Sequence, residues 1–121
     1  MNKVALGKQG EELAIRLLKS NGYRILGRNV KARFGEIDVV ARDGPTLCFI
    51  EIKSRTALKF GWPEESVGPQ KQWQLGRLAS WYLKAHRLGE ARVRFDVVSI
   101  LLQPDGSAAR TRLIKAAFDV C

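Results

Sequence analysis

The sequence predicts an α/β fold in which one mixed central sheet is flanked by helices, in the order helix, three strands, helix, strand. Three observations carry that expectation. Apolar residues recur at helical spacing in two stretches, one near the start and one after the middle. Between them, two runs rich in β-branched residues are separated only by Asp43-Gly44-Pro45, a strong turn signal. A third such run, Arg92 to Leu102, follows the second helical stretch.

The first helix is expected over about Leu6 to Ser20. Gly10, Leu13, Ala14, Leu17 and Leu18 share one stripe, and Asn21-Gly22 supplies the stop. Tyr23 to Gly27 reads as a short strand. Gly35 to Arg42 and Thr46 to Lys53 then read as the two arms of a hairpin. Arg55 to Gly68, with Gly61-Trp62-Pro63, has no period and reads as a long loop. The second helix runs from about Pro69 to Arg87, with proline in its first turn and Gly89 beyond its end. After the strand Arg92 to Leu102, Pro104-Asp105-Gly106 turns the chain into Arg110 to Phe118, whose type the pattern leaves open.

A length of 121 residues suits one domain, 1–121, with a single core. Twenty-one basic against 12 acidic side chains leave a net charge of +9. That points to a polyanionic partner, nucleic acid first. A membrane is not expected: the basic residues are spread along the chain, and no apolar run approaches the roughly 20 residues that span a bilayer. The opening residues lack the apolar core of a secretory leader, so a cytoplasmic location is expected. Cys48 is expected to pack inward, and a disulfide to Cys121 is not expected in a reducing compartment. One histidine, His86, and no close cysteine pair leave little material for zinc. His86 falls where it would cap the second helix or lie half-buried.

The hairpin concentrates the chemistry. With the tight turn centred between Gly44 and Pro45, Asp38 faces Glu51 and Glu36 faces Lys53. Glu51 and Lys53, two apart, project from the same strand face. Opposed carboxylates stand roughly 4.5–5.5 Å apart at Cβ and repel unless they share a proton or a cation. Beside a lysine, they would seat a hard divalent ion such as Mg²⁺ or Mn²⁺. A one-residue slip of register would separate them. The bland alternative is two surface ion pairs, Glu36 with Lys53 and Asp38 with a nearby arginine. Against it, Val39, Ile50 and Ile52 make one apolar face while Val40, Leu47 and Phe49 make the other. Such strands are central in a sheet, where unpaired charge is costly.

Other residues frame this hairpin. Glu11 borders the apolar stripe of the first helix, placed either to reach over the sheet or to sit favourably near the helix start. Glu12 points away and can pair with Arg16 at i+4. Lys71, on the inward stripe in the first turn of the second helix, would reach a phosphate or snorkel past the core edge. The outer face of that helix collects Gln70, Trp73, Arg77, Trp81 and Lys84, a set suited to base stacking, phosphate contact or a dimer interface. Packing against the last segment is the plainer reading of Trp81. Arg24, Arg28, Lys31, Arg33 and Arg55 cluster around strand ends and would position a phosphate backbone or remain solvated. Asp96 reads as a structural acid.

The run Gly35-Glu-Ile-Asp-Val-Val-Ala-Arg-Asp43 followed by Phe49-Ile-Glu-Ile-Lys-Ser-Arg55 resembles the YraN-like family of small bacterial proteins. Gly10-Glu11, Ala14, Gly22-Tyr23, Asn29 and Arg94-Phe-Asp96 extend the likeness over nearly the whole chain. That family looks like a branch of the PD-(D/E)xK nuclease superfamily, related in fold to Holliday junction resolvases and restriction endonucleases. The resemblance implies a restriction-endonuclease-like αβββαβ core and a Mg²⁺-dependent endonuclease acting on DNA, branched or structured. It further implies that Asp38 and Glu51, with the Ile52 carbonyl, hold the metal, that Lys53 is the catalytic lysine, and that Glu11 is the helix-one acid. Ile37 stands where the superfamily's motif has proline. Arg28, Lys31, Arg33, Arg55, Lys71, Trp73 and Arg77 would then carry the nucleic acid. The rival expectations are a non-catalytic nucleic-acid-binding module and an adaptor that docks through the tryptophan-bearing helix. Symmetric cutting of a junction would require two sites and hence a homodimer.

Overall fold

Asn2 starts the first helix. Its Oδ1 accepts the amide of Ala5 at 2.8 Å, so α1 spans Lys3–Ser20. That is almost a turn earlier than the apolar stripe indicates, because this exposed first turn is held by a cap rather than by packing. The helix stops in a Schellman turn. Gly22 (φ 86°) donates to the Lys19 carbonyl and Tyr23 to that of Leu18. The computed structural model describes residues 1–57 and 61–120. Cys121 therefore lies outside the described residues, as does part of the expected loop from Arg55 to Gly68.

Five strands follow in one sheet with the spatial order β1-β2-β3-β4-β5. β1 (Arg24–Ala32), β2 (Gly35–Asp43) and β3 (Thr46–Arg55) form an antiparallel meander. A 3₁₀ turn, Pro63–Ser66, and helix α2 (Pro69–Ala85) lead to β4 (Arg92–Leu102), parallel to β3. The segment left open by the sequence is β5 (Ala108–Phe118), an antiparallel edge strand. The αβββαβ order is as expected, extended by that last strand.

β1 continues well past Gly27, the end that its sequence suggests. The bulge between Ile25 and Gly27, and the left-handed Asn29 (φ 50°), interrupt the alternation that marks a strand. α2 ends earlier than Arg87. Arg87 itself adopts the left-handed conformation (φ 54°), Leu88 donates back to Leu83, and His86 occupies the cap. His86 is exposed rather than half-buried and stacks on Tyr82, with ring centroids 4.0 Å apart.

Two cores sit on opposite faces of the sheet. Ala14, Ile15 and Leu18 of α1 pack with Val39, Cys48, Ile50, Val98 and Ile100. Leu75, Leu78, Ala79 and Tyr82 of α2 pack with Val40, Leu47, Phe49 and Phe95. β3 is central and buried on both faces up to Glu51. Cys48 is fully buried, and that burial pushes its thiol up to about 12, so it is inert packing.

Gly10 brings α1 against β3. A β-carbon there would stand 2.8 Å from both Cβ and Oγ of Ser54. This close crossing delivers the next residue, Glu11, to the end of the sheet where β2 and β3 part.

Candidate active site

The pairing of β2 with β3 follows the register read from the turn. Asp43 opposes Thr46, and the ladder proceeds to Val39 opposite Ile50. It stops one step before Asp38 and Glu51. There the Asp38 Oδ2 accepts the Ile52 amide at 2.8 Å, so a side chain takes the place of a ladder hydrogen bond. Ile37 and Val39, two apart, pack into opposite cores, which places a break in the strand's alternation at Asp38. The carboxylate thus emerges where the sheet splits.

Glu51 lies on the α2 side and is only 3 % exposed. Two ammonium groups flank it. Lys53 Nζ and Lys71 Nζ are each 3.5 Å from Oε1. The other oxygen, Oε2, is buried with no hydrogen-bond partner. A buried carboxylate oxygen without a partner is expensive, and native structures keep such groups where a ligand or ion completes them. Burial first, and then the neighbouring Glu51 charge, push the Asp38 carboxyl above its usual range; the Ile52 amide and the two lysines pull less strongly the other way.

Glu11 joins from α1. Glu11, Asp38, Ile52 and Ser54 line one groove of about 470 Å³, with Lys3 and Lys8 on its rim. The structure therefore gathers Glu11, Asp38, Glu51, Ile52, Lys53 and Lys71 at one end of the sheet. Among the described residues, no three His, Cys, Asp or Glu side chains form a metal cage. Two carboxylates and a main-chain carbonyl would leave the remaining positions to water and substrate oxygen, which is how Mg²⁺ is commonly held.

Several pairings differ from those the sequence suggests. The two surface ion pairs of the bland alternative do not form: Lys53 turns to Glu51 rather than Glu36, and Asp38 takes a main-chain amide rather than an arginine. Glu12 pairs with Arg28 at 2.8 Å, across from α1 to β1, rather than with Arg16 along its own helix. Trp81 lines a groove with Arg33 and Phe34, while the last segment meets α2 through Val120 against Gly76.

The other basic candidates spread out. Lys31 and Arg33 are exposed at the end of β1 and its turn. Arg55 lines a wider cavity of about 740 Å³ with Lys3, Leu6 and Thr56. Trp73 and Arg77 stand together on the outside of α2, where Arg77 also covers Phe34.

Two groups were not legible in the sequence. Glu64, in the 3₁₀ turn, binds the Ser99 hydroxyl, Arg110 and Arg112, tying the segment after β3 to β4 and β5. Burial raises its pKa, but those donors outweigh burial and hold it at about 2. Phe34, in the turn between β1 and β2, bears on the stack with Arg77. Neither pairing has a local signal, because partners some 40 positions apart meet only through the fold.

A family model described as "Uncharacterised protein family UPF0102" matches residues 10–100. A UPF0102 protein of Syntrophus aciditrophicus (strain SB) is 47 % identical over 114 residues, covering 94 % of this chain and 88 % of that protein. A UPF0102 protein of Caldicellulosiruptor saccharolyticus is 41 % identical over 118 residues, covering 98 % of this chain and all of its own length. One of Symbiobacterium thermophilum is 48 % identical over 115 residues, covering 93 % and 95 %.

Proposed function

The chain belongs to the UPF0102 family, and on that premise we propose that it is a metal-dependent nuclease hydrolysing phosphodiester bonds in DNA, branched or structured forms included. The resemblance to PD-(D/E)xK enzymes and the αβββαβ core support the reading. The observation that carries it is the unpartnered, buried Glu51 Oε2 beside Asp38, with two lysines on the far oxygen.

Asp38, Glu51 and the Ile52 carbonyl would hold Mg²⁺ or Mn²⁺. Such an ion, when bound, stabilises the charge that develops on a phosphate and acidifies water. The chain's own groups do the rest. Lys53, leaning on Glu51, points an ammonium where it orients the attacking water or neutralises a phosphate oxygen. Lys71 stands at the start of α2, where free main-chain amides favour the same anion. Glu11, in the same groove as Asp38, would orient water there. Exposed Lys31 and Arg33, with Arg55, would hold the strand without reading its sequence.

The test is a cleavage screen over duplex, nicked, flapped, four-way and single-stranded DNA in Mg²⁺ or Mn²⁺. Wild type cuts at least one, and Asp38→Ala, Glu51→Ala and Lys53→Ala cut none while keeping most DNA affinity. Calorimetry with Mn²⁺ separates the rival binding module, which would show no saturable site removed by Asp38→Ala.

A further inference from the structure

Two exposed aromatics, Trp73 and Phe34, line a groove separate from the one that holds Glu11 and Asp38. Trp73 is 59 % exposed and Phe34 is 37 % exposed. The Arg77 guanidinium lies 4.6 Å from the Phe34 ring centroid and 5.1 Å from that of Trp73. Gln74 donates to the Phe34 carbonyl, so the turn bearing Phe34 is fastened to the same helical turn as Trp73. The result is a preset aromatic–guanidinium cluster in which Arg77 lies over both rings and Trp73 presents the larger free surface.

Its position matters as much as its composition. Lys71, near the start of α2 like Trp73 but on its inward side, reaches Glu51. Phe34 precedes Asp38 by four positions along β2, a span of roughly 13 Å at strand rise. Arg33, exposed in the same turn, adds a further positive charge. A strand whose phosphate sits at Asp38 and Glu51 would thus bring a base within a few nucleotides to the rings.

Flat aromatic faces with an interleaved guanidinium are the recurrent receptor for an unpaired base. A base inside a duplex has both faces covered and cannot use them. We propose that Phe34, Trp73 and Arg77 stack an unpaired base a few nucleotides from the phosphate to be cut, so that the preferred substrate is DNA with a single-stranded arm. This rests on the nuclease reading for what happens to the strand, but not for its capture.

The test is fluorescence anisotropy in EDTA at fixed salt, with a labelled flapped duplex and a blunt duplex of equal length. Trp73→Ala and Phe34→Ala are expected to weaken flap binding about tenfold each, as loss of one base stack does, and leave the blunt duplex unchanged. Trp73→Phe should restore most of the loss. Equal losses on both substrates, or none on the flap, overturn the proposal. So does a change from dimer to monomer on Trp73→Ala with flap affinity intact, which would make the patch a self-interface. Because no metal is present, failure to observe cleavage elsewhere leaves this result standing. Conversely, loss of flap preference leaves the nuclease test with Lys53→Ala untouched.

Discussion

Asn29 of β1 and Asp38 of β2 stand across from each other at a gap in the ladder. Arg28 opposite Val39 and Val30 opposite Ile37 bracket them, and Asn29 adopts the left-handed conformation with φ 50°. At this gap Asp38 turns its carboxylate the other way, to the Ile52 amide. Asparagine tolerates this backbone; a β-branched residue does not.

Asn29→Val should therefore cost about 2 kcal/mol in urea unfolding, whereas Asn29→Gly should cost well under half as much. The valine protein should also lose Mn²⁺ affinity, since closing the gap moves Asp38. A valine variant as stable as wild type would mean that the irregularity is not imposed on residue 29.

Gly10→Ala drives a β-carbon into Ser54 at the crossing of α1 over β3. A loss of about 1–3 kcal/mol is expected. Combining it with Ser54→Gly should recover part of that loss, a coupling that a double-mutant cycle reads directly. Any cleavage activity should fall with the single change, because Glu11 moves with the helix.

Asp38→Asn separates stability from function. The amide oxygen still accepts from Ile52, but the repulsion from Glu51 disappears. Metal-free protein should gain about 1–3 kcal/mol at neutral pH, because burial and the Glu51 charge no longer oppose an ionised group, while Mn²⁺ binding is lost. Calorimetric titration and denaturant melts check both halves.

On β4, buried Asp96 accepts from Tyr23, Arg94 and the Ala116 amide. Burial raises its pKa, yet the Arg94 and Tyr23 hydrogen bonds outweigh that, and the carboxyl sits below its ordinary value. A carboxylate depressed in the folded state stabilises fully above its unfolded pKa, about 4, and loses that contribution as pH falls through the lower folded value. Asp43, bonded to Arg94 and Lys115, is lowered too and acts in the same window. Unfolding midpoints should thus drop steeply below about pH 4, and Asp96→Asn should lose about 3 kcal/mol at neutral pH while flattening that drop.

Much of the site could be read from the hairpin. Asp43-Gly44-Pro45 fixes the register, Gly44 takes φ 60° as the turn needs, and the apolar pattern of β3 makes it central. Those signals are local, since period, turn chemistry and pairing all act within a few residues. The extent of β1 was hidden because its bulge and its left-handed Asn29 break the period that reveals a strand.

Sequence alone determined the αβββαβ order and the central strand, and it brought Asp38 to Glu51 on one assumed register, because backbone preferences and alternating burial operate between neighbours. The folded chain supplied that register and the last strand, β5. Only the folded chain decided which cations attend which acids: Lys71 with Glu51, Arg28 with Glu12, Arg110 and Arg112 with Glu64. A long charged side chain has no local partner encoded in its spacing. It pairs with whatever packing brings within a few ångströms, and here that packing joins residues from separate helices, strands and turns.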